Sequence, residues 1–419
     1  MVMSSPLGGL SRLSQSTPSP EQDRRVNRLV MAAAQVLANE GLAGASARTI
    51  AVVAGVAPSA INYNFGSIEH LLSLAFAQGA DQTATWLEAQ ARAIQDLPPT
   101  TDGALRALEH VLLGWTVEAR PLALLYQEAL AAHAGEPVCA AWTRLWRDFW
   151  LDAAARFGLS PIEGRLLHLF FECEALYHLS TWSPALERAV LRELIDQFGE
   201  TYLGVARRVD GGALVQAMHS AEARSPRTIP PAAMRIAVAA AEVVEASGFV
   251  GLTHRAVAAR AGVTTGSVTH HFRTIENLVT GAIRGQVQTL VGESAAPGGG
   301  PTFDETFTLA KMFDGVRVHV LGDRPASPLR RRLFLAAVRR SDLAGAAAVI
   351  RFSHGGTTRE ALGSIYDLPE GELLLRSGLW SRLLSALGFA CSGDDDPKAS
   401  GEDLLVAMEA RFPRGLTAR

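Results

Sequence analysis

The sequence has little of what marks an enzyme, a membrane protein or a disulfide-built domain. Cysteine occurs only at Cys139, Cys173 and Cys391 in 419 residues. An odd, widely spaced set fits a reducing cytoplasm and excludes a disulfide framework. No run approaches the roughly 18 to 20 apolar residues that a bilayer-spanning helix needs, so no membrane partner is expected. A Gly-rich phosphate loop, a nucleophile elbow and a metal-ligand cluster are all missing, so neither catalysis nor a cofactor nor a metal is expected. Lysine is almost absent, with Lys311 and Lys398 alone among 39 basic residues. The formal net charge of −3 excludes a whole-chain polycation, so contact with nucleic acid must come from local basic patches. Strand-like alternation and hairpin turns are lacking as well, which leaves an all-α fold.

What is present is ample core material and a repeat. Hydrophobic residues make up 48% of the chain, and its length suggests about two to four domains. The run Arg48-Thr49-Ile50-Ala51-Val52-Val53-Ala54-Gly55-Val56 returns as Arg255-Ala256-Val257-Ala258-Ala259-Arg260-Ala261-Gly262-Val263. The offset, 207 residues from Gly55 to Gly262, also relates Gly41 to Gly248, Phe65 to Phe272 and Leu71 to Leu278. Pro121 and Pro328 keep the same spacing. A duplication of about 200 residues per copy therefore spans nearly the whole chain.

Each copy opens on a helix. Asp23 to Asn39 carries Val26, Leu29, Val30, Ala33, Val36 and Leu37 on one stripe, and Gly41 is the expected stop. Pro231 to Ser247, ending at Gly248, repeats it. Ser46 and Thr253 suit the N-caps of a second, short helix over 47–54 and its repeat. Gly55 takes the turn, Val56 plugs it, a third helix runs from Pro58 to Asn64, and Phe65 closes the unit. Val257, Ala258, Gly262, Val263, Val268 and Phe272 do the same in the second copy. A helix-turn-helix of this kind lays its second helix in the DNA major groove.

Both stretches resemble the TetR family, whose pattern is roughly T-x-R-x-I-A-x-x-A-G-V-S-x-G-x-L-Y-x-H-F-x-S-K-E-x-L. The first copy answers it with Ser46-Ala47-Arg48 and Ala54-Gly55-Val56 through to Phe65-Gly66-Ser67-Ile68-Glu69. The second does so with Thr253-His254-Arg255 and Ala261-Gly262-Val263 through to Phe272-Arg273-Thr274-Ile275-Glu276. Departures are Ile68 and Ile275 for a phosphate-binding lysine, His270 where the first copy keeps Tyr63, and Pro58-Ser59 where the family has a glycine.

The resemblance implies a DNA-binding transcription regulator, by the family's usual mode a repressor, with a double-stranded operator and a small-molecule effector as partners. The implied division is a disordered tail at 1–20 and a first reader at 21–70 with its effector and dimerisation domain at 71–210. A linker at 211–228 leads to a second reader at 229–277 and a second effector domain at 278–419. Arg48 and Arg255 are expected on phosphate, beside Ser46 and Thr253 at helix N-termini. Base edges fall to Ser59, Asn62, Tyr63 and Asn64 in one reader and to Thr265, Ser267, Thr269, His270 and His271 in the other. The rival role for Tyr63 and His270 is packing or phosphate contact. Residues 224–276 hold six Arg against three Glu, and 24–70 hold four against two. Arg24, Arg25 and Arg28, like Arg224, Arg227 and Arg235, suit a path along the backbone, although such charges more often form a solvated face.

Family members pair two identical chains, so two fused units imply an intramolecular pseudo-dimer or a homodimer of fused chains. Trp142, Trp146 and Trp150 share one helical face, which reads as a pairing seam, a core stripe or a pocket wall. Trp115, Tyr126, His168, Cys173, Tyr177 and His178 are the expected effector contacts, and Glu174 with His178 lacks a third metal ligand. The second copy, poorer in aromatics and richer in arginine (Arg330, Arg331, Arg332, Arg339, Arg340), reads as a structural partner. An effector-binding protein that has lost tight DNA binding is the alternative.

Overall fold

Every regular element among the described residues is helical, in keeping with the missing alternation. The computed structural model describes residues 20–133, 136–207, 209–223, 230–247, 251–275, 277–282, 307–320, 329–341, 344–352, 354–414 and 416. Residues 1–19 of the expected tail, Arg224, Arg227, Gly248, Glu276 and Pro328 lie outside them.

The first unit runs α1 (Pro20–Gly44), α2 (Ala47–Ala54), α3 (Ser59–Phe65), α4 (Ile68–Ala93), α5 (Thr101–Leu113), α6 (Arg120–His133), α7 (Pro137–Arg156), α8 (Pro161–Tyr177) and α9 (Pro184–Leu203). Of the expected α1 stripe, Leu29, Val30, Ala33, Val36 and Leu37 are buried and Val26 is half-buried, and Gly41 leaves helical geometry at φ 72, ψ −179. The third helix begins one residue after Pro58, which stands at its N-cap.

Among the described residues the second unit follows the order of the first at the 207-residue offset, apart from α4, most of whose counterpart lies outside them. It has α11 (Pro231–Ser247), α12 (His254–Ala261), α13 (Thr265–His271), α14 (Leu309–Val320), α15 (Leu329–Val338), α16 (Ala344–Phe352), α17 (Gly356–Ile365), α18 (Glu370–Ala390) and α19 (Pro397–Arg411). The counterpart of the single α7 is thus two short helices. Gly355 stands at the break with φ 93, and a Cβ there would come within 2.8 Å of the Ser377 carbonyl on α18.

One expectation fails between the units. Residues 212–222, read as linker, form a further helix, α10 (Gly212–Glu222), packed on α9, α16 and α18. Leu214, Ala217, Met218 and Ala221 give it a buried face. Its first amides are held from α9, where the Glu193 carboxylate accepts from Ala213 N at 2.8 Å and Leu214 N at 2.9 Å. The repeat offered no counterpart from which to read it.

The tryptophan stripe belongs to the first unit's own core and not to an outer seam. Trp142, Trp146 and Trp150 are fully buried. Trp146 stacks on Phe171 at 4.1 Å and meets Trp115 at 4.9 Å, while Trp142 Nε1 donates to Thr83 Oγ1 at 2.9 Å. α7 is clamped between α4 and α8, so its apolar face has no route outward.

The units pack on one another mainly through other helices. α8 and α9 pack against α18 and α19, and α6 packs against α15. Charges cross this contact deep inside. Glu172 on α8 accepts from both Arg331 terminal nitrogens at 3.1 Å and from Tyr126 Oη at 2.8 Å. Arg331 also reaches Gln127 and lies over the Phe389 ring at 3.9 Å. Arg382 pairs with Glu174 at 2.9 Å, and Arg147 and Arg165 converge on Asp394 at 2.8 and 2.6 Å. Burial holds the Glu172 carboxyl above its usual range, while Arg331 draws it back down.

Removing one partner of such a pair strands the other without solvent. Arg331→Met should cost about 3 to 5 kcal/mol in urea unfolding. Adding Glu172→Gln should recover much of it, whereas additive losses in the double variant would contradict the pairing.

Candidate nucleic-acid interface

Each reader is built from local rules. Ser46 Oγ accepts from Thr49 N at 3.1 Å to start α2, and Gly55 ends it in left-handed geometry at φ 65. Thr253 Oγ1 accepts from Ala256 N at 3.1 Å to start α12, and Gly262 ends it at φ 66. Ile50, Ala51, Ile61 and Phe65 form the first buried nucleus, and Val257, Ala258, Val268 and Phe272 the second.

Most expected DNA contacts stand on the open side of these units. Ser46, Arg48, Ser59, Asn62 and Tyr63 are exposed, Tyr63 by 80%, and so are Thr253, Arg255, Thr265, Thr269 and His270. Ser267 and His271 are half-buried, and the His270 and His271 rings meet at 5.0 Å. Two polar groups are partly engaged already. Asn64 Nδ2 donates to the Ala60 carbonyl at 2.6 Å, and Thr269 Oγ1 donates to Thr265 O at 3.0 Å. Each keeps acceptor capacity for a base but not its full donor set.

The readers are not copies of one another. Thr264 caps α13 by accepting from Ser267 N at 3.1 Å, whereas Pro58 gives α3 no side-chain cap. Beside α1 and α2, Arg24, Arg28, Met31, Ala32, Gln35 and Val53 line an open groove of about 330 Å³. At the matching place in the second reader, Arg260 pairs with Glu242 at 2.5 Å. Sequence reading missed this contrast, although Val53 against Arg260 and Gln35 against Glu242 were its visible signal. Arg273, exposed just beyond α13, was missed too.

The sequence profile of the bacterial regulatory proteins of the tetR family matches residues 29–75 and again 236–282. Both matches cover a complete helix-turn-helix at the same offset. The chain carries two tetR-family helix-turn-helix DNA-binding domains in tandem. No curated protein matches it. Among the described residues no helix is long and apolar enough to cross a membrane.

The six expected effector contacts, all outside the two matched stretches, divide into groups. Trp115 and Tyr126 lie 6.3 Å apart in the aromatic core, next to a π turn at Gly114–Glu118. Cys173, Tyr177 and His178 instead face the second unit. Tyr177 Oη meets His354 Nδ1 at 2.5 Å, His178 Nε2 meets Arg351 at 2.7 Å, and Cys173 lies 3.9 Å from Ser385 Oγ. The Glu174–His178 pair, 3.6 Å apart, is enclosed by Arg382 and Arg351, a setting that favours ion pairing over a cation. His168 is buried with neither ring nitrogen hydrogen-bonded.

Burial pushes the His168 imidazole down to about 3, helped by Arg165 and Arg147 and opposed by Asp394. Burial first, then neighbouring arginines, hold His178 and His354 well below the ordinary value. These rings are neutral in the fold, and in the unfolded chain they take up protons below about pH 6.5. Their contribution is therefore full above about pH 6.5 and is lost as pH falls toward the folded value. For His168 the loss between pH 7.5 and pH 5 should be about 2 kcal/mol. Urea midpoints of the wild type should fall over that interval, and His168→Leu should flatten the slope. An unchanged slope would contradict it.

Proposed function

We propose that the two units form one intramolecular pseudo-dimer that reads an asymmetric operator under the control of a small effector. The observation that carries this reading is the packing of α8 and α9 against α18 and α19, with buried ion pairs crossing it. A contact so enclosed leaves each unit's pairing face occupied by the other. Asymmetry follows from the third helices. α3 offers Ser59, Asn62 and Tyr63 where α13 offers Gly266, Thr269 and His270. In this reading Arg48 and Arg255 take phosphates and the exposed residues of α3 and α13 take base edges.

The effector site belongs to the first unit, at the aromatic cluster. Trp115 and Trp146 keep buried indole N–H groups without hydrogen-bond partners, and π turns often mark functional places in helical proteins. A planar, largely apolar molecule with acceptor atoms is the effector chemistry that those two donors would answer.

Selection from random duplexes at several salt concentrations tests the regulator reading. Two unlike half-sites at fixed spacing, with affinity falling steeply as salt rises, are the expected outcome. A perfect palindrome would contradict the pseudo-dimer. Recovery of no sequence would favour the effector-binding alternative, for which Ile68 and Ile275 at the phosphate-binding place are the specific observation.

A further inference from the structure

The last turn of α1 carries no basic residue of its own to meet its carbonyls. One arrives from the other half of the chain. Arg339, at the end of α15, donates from Nε to the Ala38 carbonyl at 3.0 Å and from Nη2 to the Leu37 carbonyl at 3.3 Å. Its Nη1 pairs with Glu128 Oε1 on α6. The second Glu128 oxygen accepts from Leu42 N at 3.1 Å, immediately beyond the break at Gly41. Gly41 makes the approach possible, because a Cβ there would come within 3.0 Å of Arg339 Nη1 and 3.1 Å of Glu128 Oε1. Arg339 and Glu128 keep only 10% and 11% side-chain exposure.

At the repeat offset, Ala132 stands opposite Arg339 and Leu335 opposite Glu128, so neither residue of this grip has a sequence counterpart in the other unit. Yet α15 also packs on α11, the first helix of that second reader. A single helix of the second unit therefore supports one reader along its side and holds the other by its terminal arginine.

We infer that Arg339 is a positioning residue, through which the second unit sets the angle at which the first reader meets the operator. The inference rests on the regulator reading above, and it assigns Arg339 and Glu128 no DNA contact of their own. Because α1 carries α2 and α3 with it, freeing the end of α1 lets the first reader move alone.

The test compares Arg339→Met, Glu128→Gln and Arg339→Lys in the full chain. With the selected operator as probe, the half-site of α3 is identified by cross-linking from position 63. The Met and Gln variants should bind about tenfold more weakly, and base changes in the α3 half-site should lose their effect. Base changes in the α13 half-site should keep theirs. Arg339→Lys, which keeps the charge for Glu128 but not the fork to both carbonyls, should restore part of the affinity. Equal loss at both half-sites, or none, would overturn the inference. Amide hydrogen exchange without DNA separates this from failure of the regulator reading. Faster exchange confined to residues 29–65 supports the positioning role even if no operator is found, and unchanged exchange there overturns it.

Discussion

Two carboxylates on α8, Glu172 and Glu174, are buried beyond the reach of water, and an arginine from the other half of the chain answers each. Charges in such a place are costly to isolate. The units cannot separate, or slide past one another, without stranding Glu172 from Arg331 and Glu174 from Arg382. An apolar contact of the same area would tolerate several registers; these pairs tolerate one. That single register fixes where α6 and α15 lie, and through them the first helices of both readers.

The duplication has been used to make two halves that differ. The first unit keeps a continuous α7 and an aromatic core built on Trp86, Trp115, Trp142 and Trp146. The second has lost that continuity at Gly355 and contributes arginines across the contact. At the readers the contrast runs the other way. The second has a capped recognition helix and the Arg260–Glu242 pair, while the first has Pro58, an open groove and the Arg339 grip. A symmetric pair of identical chains has no way to divide these tasks, whereas a fused pair can place a residue in one half for the sole benefit of the other.

The sequence made the readers legible because everything that shapes them is local. Gly55 and Gly262 mark left-handed turns, Ser46 and Thr253 mark caps, and the 207-residue spacing removes the chance of coincidence. The burial of Trp142, Trp146 and Trp150 was legible from spacing, but its direction was not, since a stripe does not say which helix covers it. The crossing arginines were hidden for the opposite reason. Arg331 and Arg339 lie in a basic run that marks the second copy as a structural partner without saying what each arginine meets, and only the approach of α8, α6 and the end of α1 gives them partners. Cys173, Tyr177 and His178, expected at an effector pocket from the resemblance, make their contacts with the other unit, which no local pattern shows. α10 was hidden because the repeat has nothing to align with it.

The central claim is that one chain supplies both halves of a DNA-reading pair. Light scattering of the free chain and of its complex with a single operator duplex tests this most directly. A protein mass of 44.6 kDa in both, one chain per duplex, is the predicted result. Twice that mass, free or bound, would show that the fused units pair between chains and would contradict the account.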